Sequence, residues 1–233
     1  MRTSRRSLLL LGGAALAGAA AVGRYASASS ETRELPPPAQ DATNDAASEV
    51  AVLAGGCFWG VQGVFQHTQG VSGAVSGYAG GEQNTAQYDV VTGGQTGHAE
   101  AVQITFDPRR VSYGTILRIF FSVAHDPTQL NRQGPEIGTQ YRSAIFPADE
   151  GQARVARAYI AQLDQARIFP AAIVTRIEMG RRFYRAEDYH QDFMTKHPTH
   201  PYIVFNDLPK IAELRRIFPD RFRATPVLVA AAR

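Results

Sequence analysis

The stretch VAVLAGGCFWGVQGVFQ, residues 50–66, joins a strand pattern to a helix pattern. Its first four residues form a short apolar run, which is typical of a buried strand, and a pair of glycines ends that run. Three apolar side chains then recur at helical spacing: Phe58, Val61 and Phe65. We therefore predict a strand over 50–55 and a helix over 57–67, with Cys57 at the junction between them.

Hydrophobic periodicity predicts further strands and helices along the rest of the chain, without strict alternation. The other predicted strands cover residues 72–79, 97–106, 141–146 and 172–179. The other predicted helices cover residues 112–124, 149–167, 186–196 and 207–217. Two strands that follow each other favour an α+β fold, a mixed β-sheet with helices packed on it, over a doubly wound parallel sheet.

Cys57 is the one cysteine of the chain, so it cannot form an internal disulfide. At the start of a helix, free backbone N–H groups and the positive end of the helix dipole favour a thiolate. There the pKa of a cysteine can fall from about 8.5 to between about 3.5 and 7.5. Cys57 is therefore a candidate nucleophile, and the alternative is a buried, inert core cysteine.

The predicted strand over 97–106 places His98 and Glu100 on one face together with three apolar residues. A carboxyl group at the head of an apolar face is desolvated, which raises its pKa. A carboxyl that stays protonated near neutral pH can act as a general acid. The alternative is that Glu100 lies at a strand end in contact with water and takes no part in chemistry.

Composition and charge place the chain among single-domain globular proteins. Of its 233 residues, 44% are hydrophobic and 19% are charged. The net charge of +3 depends on four arginines within the first 28 residues, and the remaining 20 Lys and Arg residues face 21 acidic ones. A near-neutral body offers no basic surface for phosphate backbones, so no nucleic-acid partner is expected.

Residues 1–28 have the three regions of a cleavable export signal. Paired arginines come first, as in twin-arginine signals, an apolar run of 15 residues follows, and Ala26-Ser27-Ala28 is a small-residue cleavage site. The apolar run is shorter than the roughly 20 residues that span a bilayer, so no stable membrane insertion is expected. We predict a periplasmic or extracellular protein.

Three further segments follow the predicted signal. The polar, proline-bearing stretch over 29–49 is predicted to be a flexible linker. A folded domain over 50–223 and a C-terminal tail over 224–233 complete the chain.

Six short motifs resemble the A-type peptide methionine sulfoxide reductases in sequence, order and spacing, from about residue 49 to residue 222. These motifs are Gly56-Cys57-Phe58-Trp59-Gly60, Gly77-Tyr78-Ala79-Gly80-Gly81, Thr96-Gly97-His98-Ala99-Glu100, His125-Asp126-Pro127, Gly138-Thr139-Gln140-Tyr141-Arg142-Ser143 and Ala186-Glu187-Asp188-Tyr189-His190-Gln191. The resemblance implies a two-layer, ferredoxin-like sandwich, expected here as a monomer. It also implies reduction of the S epimer of methionine sulfoxide, free or within oxidised proteins and peptides.

The resemblance also implies a role for individual residues. Cys57 attacks the sulfoxide sulfur and becomes a sulfenic acid. Glu100 protonates or polarises the sulfoxide oxygen, and the hydroxyls of Tyr88 and Tyr141 hydrogen-bond it. The S-methyl group is received by two aromatic side chains, Phe58 and Trp59.

The chain departs from the pattern of the family at three points. Gln62 stands where many relatives carry Glu, with little effect expected. Glu136 stands where relatives commonly carry Asp, which puts its role as a substrate-binding residue in doubt. The further cysteines that resolve the sulfenic acid in many relatives are absent, so Cys57 requires an external thiol, either a thioredoxin-like protein, a glutaredoxin with glutathione, or a small thiol. No bound cofactor is expected.

Two other classes of function remain open at this point. A cysteine hydrolase acting on amides or thioesters would need a general base, and His98 is the candidate. A non-catalytic exported binding module would bury its cysteine. A metal site is not expected, because Pro198 and Pro201 make the segment around His197 and His200 irregular and no Cys or carboxylate cluster lies beside it in the sequence.

Overall fold

The computed structural model describes residues 33–42 and 46–229. The strands are β1 (Glu49–Gly55), β2 (Val71–Ala79), β3 (Ala99–Phe106), β4 (Arg132–Gln133), β5 (Glu136–Ile137), β6 (Ser143–Phe146), β7 (Arg176–Ile177) and β8 (Phe183–Arg185). The α-helices are α1 (Phe58–Gln66), α2 (Tyr88–Val91), α3 (Tyr113–Ile119), α4 (Glu150–Gln165), α5 (Phe193–Lys196) and α6 (Leu208–Ile217). Two π-helical segments, Phe120–Ala124 and Ile203–Asp207, follow α3 and precede α6.

Six strands form one mixed sheet in the order β7-β6-β1-β3-β2-β8. Neighbouring strands are antiparallel except β6 and β7, which run parallel. The two short strands β4 and β5 pair with each other as a separate hairpin. The prediction of an α+β fold with helices packed on a mixed sheet is confirmed.

Helix α1 is held between the sheet and α6, which fixes the position of its first turn. It packs across β2 and β3, and eight of its nine residues are buried. Phe58 and Phe65 lie in the same hydrophobic core as Leu53 of β1 and Ile104 of β3. Because burial of each such side chain stabilises the fold by roughly 1.5–3 kcal/mol, the strand, the turn and the helix are fixed relative to each other.

Residues 33–42 are not the flexible linker that the sequence analysis expected. Leu35 is buried in the main core, at 1% exposure. The Tyr159 hydroxyl donates to the carbonyl of Pro36 at 2.8 Å, and Asp41 accepts from the Ser112 hydroxyl at 2.6 Å. The proline-rich composition suggested a free chain. In the fold, however, side chains of α4 donate hydrogen bonds to the backbone carbonyls of this segment.

The predicted helix over 186–196 is wrong. Asp188–His190 forms a 3-10 turn, Asp192 has a φ of 59°, and only Phe193–Lys196 is α-helical. The side chain of Gln191 bonds the backbone of Ser76 in β2, so tertiary contacts replace the helical hydrogen bonds. The predicted strand over 172–179 shrinks to β7, and the sequence analysis did not predict α2, the β4–β5 hairpin or β8.

The predicted export signal, residues 1–28, lies outside the described residues. Within the described ranges 33–42 and 46–229, no helix has both the length and the apolar character needed to cross a membrane.

Candidate active site

Cys57 is the N-cap residue of α1, between the end of β1 and the first helical turn. Gly56 has a φ of 85°, and a Cβ atom there would lie 2.5 Å from the side chain of Gln133, so the turn requires a glycine. The Cys57 side chain is 6% exposed. The tight turn therefore places the sulfur at the open end of α1 with little contact with solvent.

Glu100, in β3, reaches the same helical turn from the sheet. Its Oε2 accepts a hydrogen bond from the backbone N–H of Phe58 at 3.0 Å, one residue beyond Cys57. The side chain is buried, and burial raises the pKa of Glu100 from 4.5 to about 8, against the opposing effect of that N–H group. At neutral pH Glu100 is mainly a neutral carboxylic acid, with Oε1 left to carry the proton.

The thiol of Cys57 does not have the lowered pKa that its place at a helix start predicted. Burial, followed by the negative charges of Glu100 and Glu136, raises the pKa of the Cys57 thiol well above its usual value. The nearby backbone N–H of Trp59 lowers the pKa of the thiol, but by less. Desolvation and nearby carboxyls outweigh the helix dipole, so the resting site holds a thiol rather than a thiolate.

Two tyrosine hydroxyls lie within electrostatic reach of this pair. Tyr88 begins α2, and its backbone N–H donates to Glu187 at 2.9 Å. Tyr141 ends a 3-10 turn, and both tyrosines are half-buried. Burial, and then the charge of Glu100, raises the pKa of each tyrosine, so both hydroxyls remain protonated and can donate hydrogen bonds.

Trp59 is fixed on both sides by side chains that are distant in the sequence. Its indole stacks on Phe193 at a centroid distance of 3.7 Å and an interplanar angle of 6°. Its Nε1–H donates to Nδ1 of His190 at 3.2 Å. The His190 ring also lies 4.9 Å from the buried ring of Phe58 and 4.5 Å from that of Tyr88. These contacts give the site an ordered aromatic wall.

Glu136 lies opposite Glu100, on the hairpin strand β5. Its Oε2 accepts the backbone N–H of Cys57 at 3.2 Å. Burial raises the pKa of Glu136, while the hydroxyl of Tyr202 and the charge of Lys210 oppose that rise. The side chain of Glu136 therefore contacts the backbone of the nucleophile itself.

Six of the seven predicted site residues meet at the first turn of α1, namely Cys57, Phe58, Trp59, Tyr88, Glu100 and Glu136. The seventh, Tyr141, interacts electrostatically with Cys57 and Glu100. His98 is held elsewhere, because its Nδ1 accepts the N–H of Gly81 and its Nε2 contacts the carbonyl of Glu82. With both ring nitrogens engaged, His98 does not serve Cys57 as a general base, and the hydrolase alternative loses its candidate.

Sequence reasoning missed Tyr202, Asp207 and Lys210, which converge on the same turn from the C-terminal part of the chain. In the sequence, the segment around His197 and His200 stands out only for its two histidines, which are possible metal ligands. Pro201 in that run starts the helical segment that carries Tyr202. That proline was the available signal for a helix start there.

A sequence profile described as peptide methionine sulfoxide reductase matches residues 49–221. The chain belongs to the A-type peptide methionine sulfoxide reductase family. The protein named peptide methionine sulfoxide reductase MsrA 2 of Mesorhizobium japonicum is 60% identical over 79% of this chain and 95% of its own length. A protein of the same name from Synechocystis is 48% identical over 83% of this chain and 92% of its own length.

Solved structures of methionine sulfoxide reductases share the fold. Mxr1 of Saccharomyces cerevisiae in its reduced form has a TM-score of 0.57 at 31% identity, covering 70% of this chain and 92% of its own. Methionine sulfoxide reductase A of Corynebacterium diphtheriae has a TM-score of 0.56 at 32% identity, covering 66% of this chain and 77% of its own. As a member of the family, this chain is a methionine sulfoxide reductase.

Proposed function

We propose that the protein reduces methionine-S-sulfoxide, free or in peptides and oxidised proteins, through a sulfenic acid on Cys57. The observation that carries the proposal is the placement of a neutral carboxylic acid beside the thiol. Glu100 accepts the N–H of the residue next to Cys57, and burial raises the pKa of Glu100 to about 8. The nucleophile, Cys57, and the general acid, the Glu100 carboxyl, thus both lie at the first turn of α1.

The sulfoxide oxygen is a poor leaving group until it gains a proton or strong hydrogen-bond donors. The neutral Glu100 carboxyl donates a proton to this oxygen, and the hydroxyls of Tyr88 and Tyr141 stabilise the charge that grows on it. The Cys57 sulfur first bonds to the sulfoxide sulfur. That bond and the bond between the oxygen and the methionine sulfur then break, and the oxygen with its proton bonds to the Cys57 sulfur. Methionine sulfur gains two electrons, Cys57 sulfur loses two, and the thiol proton returns to Glu100.

The aromatic wall supports binding of the S-methyl group. Trp59 is held flat against Phe193 and anchored through His190, so the position of the indole ring is fixed before a substrate binds. A preorganised apolar surface of this kind discriminates by shape, with about 1–3 kcal/mol for a methyl-sized feature. The choice of the S epimer is proposed from the membership in the A-type family.

Regeneration of Cys57 is proposed to depend on an external thiol. The chain has one cysteine, so no second thiol of its own can attack the sulfenic acid. One external thiol forms a mixed disulfide with Cys57 and releases water, and a second thiol releases Cys57 as the free thiol. A thioredoxin-like protein, a glutaredoxin with glutathione, or a small thiol each satisfies this balance.

Export is proposed from the sequence of residues 1–28. Expression of the full chain in a bacterium, followed by fractionation, tests this proposal. A periplasmic or secreted product that begins at Ser29 is expected. A variant in which Arg5 and Arg6 are both Lys is the control. If the native full-length chain stays in the cytoplasm as this variant does, the proposal of export is contradicted.

The reaction is tested with peptides that contain either pure epimer of methionine sulfoxide, with dithiothreitol as the reductant. We expect consumption of the S epimer by the native chain and none by Cys57→Ser. Without reductant, dimedone should label one sulfur per chain after exposure to the sulfoxide. Undiminished turnover of the S epimer by Cys57→Ser, or the absence of a dimedone adduct on a chain that has reduced one equivalent, would refute the proposal.

A further inference from the structure

A buried ion pair that the proposed mechanism does not use lies against the first turn of α1. Asp207 ends the π-helical segment before α6, and its side chain is 0% exposed. Its Oδ1 accepts a hydrogen bond from Nζ of Lys210 at 3.2 Å. A Cβ atom on Gly60, the third residue of α1, would overlap Asp207 Oδ1 and lie 2.6 Å from Lys210 Nζ. The glycine therefore lets the pair approach the helix that carries Cys57.

Four acidic groups, the Cys57 thiol and three carboxyls, share this small region. The charge of Asp207 acts on each of the others. It raises the pKa of Cys57, Glu100 and Glu136, by less than burial does and, at Cys57 and Glu100, by less than the charge of Glu136 does. In a region of low dielectric, three carboxylates and one ammonium group do not all coexist as ions. At least one carboxyl must therefore hold a proton near neutral pH.

The available partners decide which carboxyl holds it. Asp207 has the ammonium group of Lys210. Glu136 has the N–H of Cys57, and the Tyr202 hydroxyl and the charge of Lys210 also lower its pKa. Glu100 has one backbone N–H group, and among the described residues no cation lies within ion-pair distance of it. The ionised forms of Asp207 and Glu136 are thus favoured over that of Glu100, and the proton remains where the mechanism needs it.

We infer that Asp207 is a positioning residue for the reduction: its carboxylate, held by Lys210 against Gly60, keeps the proton on Glu100 between turnovers. Its second oxygen supports this role. Within the described part of the chain, Oδ2 of Asp207 is buried and has no hydrogen-bond partner. The negative charge of Asp207 is thus compensated only by its contact with Lys210. The part of the charge that stays uncompensated acts on the neighbouring acidic groups. The π-helical turn that ends at Asp207 belongs to a class often found at functional sites.

The inference rests on the proposed function for the role of Glu100, but its test does not depend on turnover. The rate of alkylation of Cys57 by iodoacetamide is measured against pH, and because Cys57 is the single cysteine the signal is unambiguous. The basic limb of the kcat profile is measured in parallel with a peptide that contains methionine-S-sulfoxide. The other titratable or charged groups that face this region are unchanged in every variant: Tyr78, Tyr88, His125, Glu136, Tyr141, His190 and Tyr202.

Asp207→Asn removes the negative charge at nearly constant volume. We expect the midpoint of the alkylation profile and that of the basic limb both to move to lower pH. Lys210→Met removes the opposing charge and should leave both midpoints in place or raise them. Glu213→Gln, on α6 where the half-buried Glu213 pairs with Arg216, is the matched control and should match the native chain.

Unmoved midpoints in Asp207→Asn would overturn the inference, even if turnover became slow. A fall of similar size in Asp207→Asn and Lys210→Met would also overturn it, because loosened packing would then be the cause. A native chain that reduces no sulfoxide would refute the proposed function, while the alkylation profile would still decide the role of Asp207.

Discussion

Replacement of Glu100 by Gln should stabilise the folded protein increasingly as the pH rises from 5 to 8. The folded state holds the Glu100 carboxyl at a pKa of about 8, against an ordinary value of 4.5. Within this window the unfolded chain has released the proton and the folded chain retains it, so the stability of the native chain falls with pH. Each pH unit corresponds to about 1.4 kcal/mol. Because the proton is only partly retained at the ends of the window, Glu100→Gln should gain about 3.5 kcal/mol relative to the native chain between pH 5 and 8.

Urea unfolding at half-unit steps of pH measures this difference. Trp59 is the single tryptophan and stacks on Phe193, so its fluorescence reports the loss of the native site. The free energy of unfolding of the variant minus that of the native chain should rise steadily with pH, while Glu213→Gln should give a flat difference. A flat difference for Glu100→Gln as well would mean that Glu100 ionises normally in the fold, and the assignment of a general acid would fail.

Three further results are expected from single substitutions. Gly60→Ala places a Cβ atom against Asp207, so we expect a loss of about 1–3 kcal/mol in the free energy of unfolding by urea titration, and an unchanged value would show that the pair has room to move. Tyr141→Phe removes a donor to the developing charge and should lower kcat by roughly 10²-fold in steady-state assays while KM changes little; a native kcat would remove Tyr141 from the mechanism. Leu35→Ala should cost about 2–4 kcal/mol in calorimetry, whereas no loss would mean that residues 33–42 do not pack in solution.

Local patterns were sufficient for the part of the fold that carries the nucleophile. The apolar run of β1, the glycine pair and the helical spacing after Cys57 all lie within about one dozen and a half residues, so local patterns identify them directly. The face of β3 that carries Glu100 follows from the same two-residue period. The family resemblance then supplied Tyr88 and Tyr141, which no local pattern marks.

Other parts of the chain were not predictable because distant groups decide their conformation. Residues 186–196 have a helical composition, but the side chain of Gln191 bonds the backbone of β2 and the helix does not form. Residues 33–42 have the composition of a linker, but their carbonyls meet donors on Tyr159 and Gln162 of α4. The composition of a segment indicates the conformation that it favours in isolation. It does not indicate hydrogen-bond partners that lie more than a hundred positions away in the sequence.

The amino-acid order alone was enough to place a lone thiol at a helix start, to put an acid on the facing strand, and to indicate the reductase family. Only the folded chain set the ionisation of these groups. A helix dipole argues for a thiolate, yet burial together with Glu100 and Glu136 keeps Cys57 as a thiol. Desolvation and charge depend on everything within a few ångströms in space, and Asp207 enters that volume from 150 positions further along the chain.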